Sequence, residues 1–226
     1  AMRGSVAMRG SMAMRRSMAM RGSLAGLGSS GLRCGVGKFN MKTSLRKRAD
    51  KAKKNRCKNL IAVLENPKTV SNIGSVVRNV DALGIEKLYV IDGNNILPEK
   101  WEDMRTNRNL NTISVSAIKW AFVKTFKTTE ECVKHLNTKG FSSFGTSPHT
   151  KGKVNVSLSD ADFTSSRVAV WFGNESMGLT EEALEHCTEC IQMDMCGIIE
   201  SLNLGTATGI VLYEAGRQRR AKILEA

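Results

Sequence analysis

Carboxylates are almost missing from the first quarter of this 226-residue chain: residues 1–60 hold sixteen Lys or Arg and a single acid, Asp50. That leaves 18 of the 34 basic and 20 of the 21 acidic residues for positions 61–226, so the formal charge of +13 belongs to the N-terminal segment and the remainder is near neutral. An uneven basic charge of this kind points to a polyanionic partner, each neutralised phosphate adding salt-dependent affinity, although Lys-rich ends also serve solubility alone. No run approaches the 18 or more apolar residues of a membrane span. Neither G-x-G-x-x-G nor the phosphate-loop pattern occurs, which disfavours a dehydrogenase or an NTPase. The six cysteines (34, 57, 132, 187, 190, 196) form no regular framework, which fits reduced thiols in a cytoplasmic protein better than a secreted disulfide scaffold.

Residues 1–24 are four near-copies of one hexapeptide, AMRGSV, AMRGSM, AMRRSM and AMRGSL, followed by a Gly-rich stretch. Such a segment builds no packed core, and residues 1–40 are expected to be disordered; transit peptide, cloning scar and translated upstream sequence stay open as its origin. Met41 is a plausible natural start. Residues 41–59 form a basic extension, polar and without Gly or Pro, either a solvated helix lying along RNA or a disordered arm, with Arg46, Lys47, Arg48, Lys53 and Lys54 as candidate RNA contacts.

From Leu60 onward, short apolar runs alternate with helical stretches, the signature of an α/β domain over residues 60–226 with a mostly parallel sheet and helices on both faces. Strands are expected at 60–65, 87–92, 112–116, 121–126, 141–147, 167–173 and 190–195. Helices are expected at Val70 to Leu83, Thr129 to Lys139, Thr180 to Cys187 and Ser201 to Arg220; WEDMRTNRNLN (101–111) is ambiguous. Ligands in such folds bind at the carboxyl ends of the strands.

Three segments carry candidate chemistry. In 66–85, a helix beginning near Thr69 would place Asn72, Val76 and Asn79 along one side, with Arg78 on a neighbouring turn. In 170–184, a buried strand runs into Gly173-Asn174-Glu175 and then Gly178, where glycines let backbone approach a ligand and a carboxylate can bind a hydroxyl or an amine; a plain turn reads equally well. In 197–220, Gly205, Thr206, Ala207 and Gly209 are poor helix formers, better explained by close packing against another backbone. His186, Cys187, Cys190 and Cys196 suggest zinc, but a second C-x-x-C is missing and ordinary buried thiols explain them, so no metal is expected; His135 and His149 are expected to be solvated.

Taken in order, N-x-x-x-x-x-R with D-A-x-G, F-G-N-E-x-x-G-L, E-S-L-N-x-x-x-A and L-Y-E-x-x-R-Q-R resemble the three motifs of the SpoU/TrmH family of RNA methyltransferases, over roughly residues 60–220. The resemblance implies a SPOUT fold, a parallel α/β sheet with a C-terminal deep trefoil knot, assembled as a homodimer with active sites at the interface. It also implies S-adenosylmethionine as the cofactor and a ribose 2′-hydroxyl of RNA as the methyl acceptor. By motif position, Arg78 matches the arginine that activates the hydroxyl and Asn72 supports it, while Glu175, Ser201 and Asn203 match catalytic and cofactor-pocket residues. Gly145, Thr146, Gly173, Asn174, Ile191, Met193 and Leu202 fall on the loops that would hold the cofactor; Arg219 matches an arginine facing substrate phosphate or the partner subunit, and Arg217 beside it is a further candidate RNA contact.

The chemistry suits these residue types. A sulfonium already carries a reactive methyl, so the protein has to align the nucleophile and assist proton removal; an arginine, normally charged, orients the hydroxyl and stabilises developing alkoxide. The L-Y-E-x-x-R-Q-R ending favours a tRNA guanosine, with large-subunit rRNA as the alternative. A non-catalytic RNA-binding homologue is disfavoured by the complete set of Asn72, Arg78, Glu175, Ser201 and Asn203. Departures from the family pattern are Ile191 to Gly197, including Asp194, where a proline is common, Gly205 where serine is frequent, and little sequence beyond Arg220.

Overall fold

A computed structural model describes residues 41–147 and 155–225. The expectations for residues 1–40, Cys34 and His149 lie outside the described residues, as does the side chain of Arg46.

The basic segment is helical, α1 spanning Met41–Lys54, with Lys47, Arg48, Lys53 and Lys54 exposed. Seven strands follow: β1 (Cys57–Glu65), β2 (Ile85–Ile91), β3 (Phe122–Phe126), β4 (Ser142–Thr146), β5 (Asn155–Ser157), β6 (Val168–Phe172) and β7 (Glu189–Gln192). They form one sheet in the order β3-β2-β1-β6-β4-β7-β5, and every pairing is parallel. Between them lie α2 (Val70–Ala82), α3 (Trp101–Thr106), α4 (Arg108–Ile113), α5 (Thr129–Thr138), α6 (Glu181–His186) and the terminal α7 (Leu204–Glu225). Among the described residues no helix is long and apolar enough to cross a membrane.

The strand pleat explains why the central strands read as unbroken apolar runs. Side chains alternate between faces, and here both faces are covered. Leu60, Ala62, Leu64, Val168, Val170 and Phe172 meet the buried sides of α2, α4 and α7. Ile61, Val63, Ala169 and Trp171 point the other way, onto Cys132 and Leu136 of α5 and Ala183 and Leu184 of α6. Each fully buried Leu, Ile or Val of this sandwich contributes about 1.5–3 kcal/mol. The Trp171 indole N–H, wholly buried, donates to Ser143 Oγ at 3.1 Å.

Thr69 opens α2, its hydroxyl accepting from the Asn72 N–H at 3.2 Å, and Thr180 opens α6 in the same way through Ala183. Small residues settle how α7 docks: a Cβ on Gly205 would stand 3.0 Å from Ser75 Cβ, and one on Gly209 would stand 3.4 Å from Asn79. Asn79 Nδ2 fills that gap, donating to Gly205 O at 2.6 Å and Thr208 Oγ1 at 3.1 Å.

Three expected elements change. The strand expected at 112–116 is instead the end of α4 and a tight turn: the buried Ser114 hydroxyl donates back to Leu110 O at 2.5 Å, and Val115 (φ 52°) and Ser116 (φ 64°) are two successive left-handed residues, which reverse the chain. The ambiguous 101–111 stretch is two short helices meeting at Asn107, whose side chain accepts from Leu110 N at 3.1 Å. The last expected strand stops at Gln192, and α7 starts at Leu204, leaving 193–203 irregular. His135 is half-buried, 3.3 Å from the Tyr89 hydroxyl and 3.4 Å from Lys124 Nζ, so it is not the solvated residue expected.

Candidate active site

The carboxyl ends of β4, β6 and β7 open into a cleft of about 530 Å³. Its walls are the turn after β6, from Gly173 to Leu179, and the irregular stretch after β7, including Met193, Met195 and Glu200 to Asn203. Leu204, Ala207 and Val211 of α7 supply an apolar side.

The turn after β6 is held by close backbone contact. A Cβ on Gly173 would lie 2.1 Å from Gly178 C and 2.3 Å from Leu179 N, so only glycine fits. Asn174 and Gly178 exchange backbone hydrogen bonds at 3.0 and 2.8 Å, and Gly178 takes a left-handed φ of 69°. The Asn174 side chain closes the turn, accepting from Ser176 N at 2.9 Å and donating to Asn66 O at 2.6 Å.

That last bond starts a latch between the two sides of the site. Glu175 Oε2 accepts from the Lys68 backbone N–H at 3.0 Å, Glu175 Oε1 accepts from Asn72 Nδ2, and Lys68 Nζ donates to Ser176 Oγ. The loop carrying Glu175 is thereby fastened to the first turn of α2. Behind it, Glu65 ends β1 only 1% exposed and accepts three bonds: from Thr129 Oγ1 (2.6 Å), Thr180 Oγ1 (2.7 Å) and Thr180 N (2.8 Å). A buried carboxylate with three donors is a fixed post, tying the starts of α5 and α6 to the sheet beneath the cleft.

The model of the SpoU rRNA methylase family matches residues 59–213. The chain belongs to this family. It is 31% identical over 176 residues to a tRNA (guanosine(18)-2′-O)-methyltransferase of Aquifex aeolicus, covering 78% of this chain and 77% of that protein. It is 27% identical over 174 residues to the enzyme so named from Thermus thermophilus, covering 77% and 82%. The crystal structure of the A. aeolicus TrmH/SpoU tRNA modifying enzyme superposes with a TM-score of 0.65 at 30% identity, covering 80% of this chain and 87% of that one.

Within this SpoU family member, Thr146, Gly173, Asn174, Glu175, Ile191, Met193, Ser201, Leu202 and Asn203 all line the cleft. Asn72 reaches it through Glu175. Gly145 does not line it: its missing Cβ leaves room for Leu179 Cδ1 and Cys187 Sγ at 3.1 and 3.2 Å, so it is a packing glycine on the opposite face of β4. Asn203 has a second duty, its side-chain oxygen capping α7 by accepting from Gly205 N at 2.8 Å. Arg78 is exposed on a strip of α2 beside Ser75, outside the cleft lining and without an ion pair among the described residues.

Arg219 corrects the sequence reading. It is 9% exposed, and its guanidinium donates to the carbonyls of Phe163 (3.0 Å), Ser166 (3.1 Å) and Lys58 (3.2 Å) as well as Ser165, a structural clamp with no face offered to a phosphate. Arg217 is exposed but chelates Glu214 at 2.7 and 2.8 Å. Cys187 and Cys190 are buried and Cys196 is exposed, and burial pushes the Cys132 thiol up to about 12. The residues missed from sequence are Asn66, Lys68, Glu65 and Glu200; the Asn-Pro pair in E-N-P-K was the signal for a turn at the end of β1, where Asn66 is left-handed (φ 46°).

Proposed function

We propose that this protein transfers the methyl group of S-adenosylmethionine to a ribose 2′-hydroxyl of RNA, a tRNA guanosine being the substrate that its relatives' names favour. The observation carrying the reading is the latch of Glu175 to Asn72 and Lys68 at the mouth of the cleft, which joins two sequence motifs into one site. A cleft of about 530 Å³ suits a nucleoside-sized ligand. Its donor set fits the cofactor as well: Ile191, Met193, Leu204 and Val211 offer an apolar slot for a base, while Thr146, Glu175, Glu200 and Ser201 offer polar groups for hydroxyls and an amino-acid moiety. When bound, the cofactor supplies an electrophilic methyl on a sulfonium, and no metal is required.

The chain's own groups perform the remaining work. Asn72 and the Lys68 N–H fix the Glu175 carboxylate, holding the Gly173 to Leu179 turn in one geometry before substrate arrives. Arg78 approaches the ribose from the α2 surface, orienting its hydroxyl and stabilising the alkoxide that develops as the proton leaves to phosphate or solvent. Lys47, Arg48, Lys53 and Lys54 on exposed α1 neutralise RNA phosphates, and Arg46 on the same helix belongs to that set by sequence.

The finer architecture belongs to the same reading. The C-terminal part is threaded as a trefoil knot, a proposal supported by β6 lying between β1 and β4 and by β7 lying between β4 and β5. Two copies pair through the outer side of α7, where Ile210 and Tyr213 are 41% and 56% exposed at one-turn spacing. Residues 60–226 form the methyltransferase domain and 41–59 its RNA-binding extension, in a cytoplasmic protein. Labelled methyl transfer to unmodified tRNA and rRNA fragments tests the function, comparing wild type with Arg78→Ala and mapping the product as a 2′-O-methyl nucleotide. Label in tRNA that vanishes in the variant supports the whole reading; label only in rRNA replaces the substrate, and none in either refutes it.

A further inference from the structure

A second recess lies at the other end of the sheet, at the amino ends of β1, β2 and β3, where they meet α1. It encloses about 830 Å³, and its floor carries Trp120 and Phe122, which are 49% and 50% exposed. The chain has three tryptophans; Trp171 is wholly buried, whereas Trp120 sits in this recess and Trp101 continues it, its ring 6.3 Å from that of Phe122. Lys87 Nζ stands 5.8 Å over the Phe122 ring, and the Arg105 guanidinium 5.6 Å over Trp101. Exposed rings gathered beside cations, rather than scattered singly, mark an interaction surface.

The charges around the recess are unequally matched. Asp81 is held by Arg56 at 3.2 Å, and Glu86 by Lys87 at 3.0 Å and by the Asn59 N–H at 2.5 Å. Arg48, Lys53 and Lys58 also line it and make no salt bridge among the described residues, against one lining carboxylate in the same condition, Asp50. Unpaired cations around exposed rings match a nucleic acid strand with splayed bases: rings stack on bases of any sequence and the cations track phosphates. A duplex, with its bases stacked inside, would leave both rings uncovered.

We propose that this recess is a second RNA site, taking an unpaired nucleotide of the substrate by stacking on Trp120 and Phe122, with its flanking phosphates on Arg48, Lys53 and Lys58. The proposal rests on the RNA-substrate reading above and adds to it a place far from the methyl acceptor. β2 spans 7 residues, and at ~3.3 Å per residue the recess and the cleft lie roughly 20 Å apart along the strands. The cleft also lies three strands across the sheet, from β2 to β4 at ~4.8 Å each, so an RNA filling both presents the target ribose and, roughly 25 Å or seven stacked nucleotides away at ~3.4 Å each, an unpaired base.

Binding of the full chain to unmodified tRNA and to an unstructured ten-nucleotide RNA tests this, with Trp120→Ala/Phe122→Ala, Trp120→Tyr/Phe122→Tyr and Lys53→Ala/Lys58→Ala compared with wild type. The alanine ring variant is expected to bind both RNAs about ten-fold more weakly with an unchanged salt slope, and the tyrosine variant to recover most of that loss. The lysine variant is expected to lower the slope of log K against log salt by about 1.4 for the ten-nucleotide RNA. Cofactor affinity stays at the wild-type value throughout; the lysine variant keeps the wild-type melting temperature, and the alanine ring variant, which loses half-buried area, melts a few degrees lower. Unchanged RNA affinity in the alanine ring variant overturns the proposal, as does a fall in sedimenting mass, which would make the recess a contact between copies. A wild type that binds RNA in this way yet transfers no methyl removes the proposed function and leaves the recess; methyl transfer with ring-independent binding does the reverse.

Discussion

Asn72 and Glu175 stand 103 positions apart in the chain and are joined directly, amide to carboxylate, at the mouth of the cleft. The bond makes the first turn of α2 and the turn after β6 a single unit. Glu175→Gln keeps the shape but weakens the acceptor toward both Asn72 and the Lys68 N–H. Losing one charge-assisted bond of about 1.5–3 kcal/mol is expected to lower kcat/KM by ~10- to 100-fold. Asn72→Ala is expected to act similarly, and the double variant to lose less than the product of the two, which steady-state methyl transfer on all three proteins will show.

Gly173 and Gly178 face each other across one turn and predict different outcomes. Alanine at 173 places a Cβ 2.1 Å from backbone, so the turn must open; a loss of ~3 kcal/mol or more is expected, together with loss of cofactor binding. Alanine at 178 meets nothing within 4 Å and suffers only its left-handed φ of 69°, at ~1–2 kcal/mol. Thermal melting and cofactor titration of both variants will separate them, and equal effects would contradict the geometry.

Glu65→Ala removes the acceptor shared by Thr129 and Thr180 and leaves the buried Thr129 hydroxyl without that partner, while the exposed Thr180 donors turn to water. A destabilisation of about 2–4 kcal/mol is expected, lowering Tm by ~5–15 °C in a domain of this size. Chemical denaturation should show a lower midpoint at unchanged slope.

Acid should weaken the fold through two histidines. Burial lowers His186 below its ordinary value of 6.5, beside Ser143 Oγ at 3.0 Å. Burial lowers His135 too, aided by Lys124, Lys139 and Lys87. The folded protein then binds fewer protons than the unfolded chain below about pH 6.5, so stability is complete above that value and declines as pH falls toward the depressed folded values. Melting scans from pH 7.5 to 5.5 should show this decline, and His186→Gln should flatten it; a wild-type Tm that rises on acidification would reverse the sign.

The parts legible in the sequence are those where one physical cause dominates. β1, β2 and β6 are buried on both faces, so their apolar runs are nearly continuous and could be read without a partner. β5, three half-buried residues at the sheet edge, leaves no such trace. Thr112 to Ser116 alternates like a strand, but Asn107, a helix cap five residues earlier, was the stronger local signal.

Within the site, contiguous motifs fall together on the cleft wall, whereas Gly145 and Arg219 fall elsewhere. Thr146 and Gly145 are neighbours on one strand, so they face opposite sides, and a motif that includes both can place only one in the cleft. Arg219 follows Val211, Leu212 and Ala215 at helical spacing, and all three are fully buried; that periodicity places it inward and Arg217 outward. Motif resemblance alone grouped the two arginines together.

Leu204, Ala207 and Val211 floor the cleft, while Arg219 on the same helix clamps the carbonyls before β6 and at the start of β1. The ribosome makes these residues after every other wall of the site. A nascent chain that has reached only β7 lacks both the floor and the clamp, so whatever the cleft binds, it binds only once synthesis has run through α7 and that helix has docked.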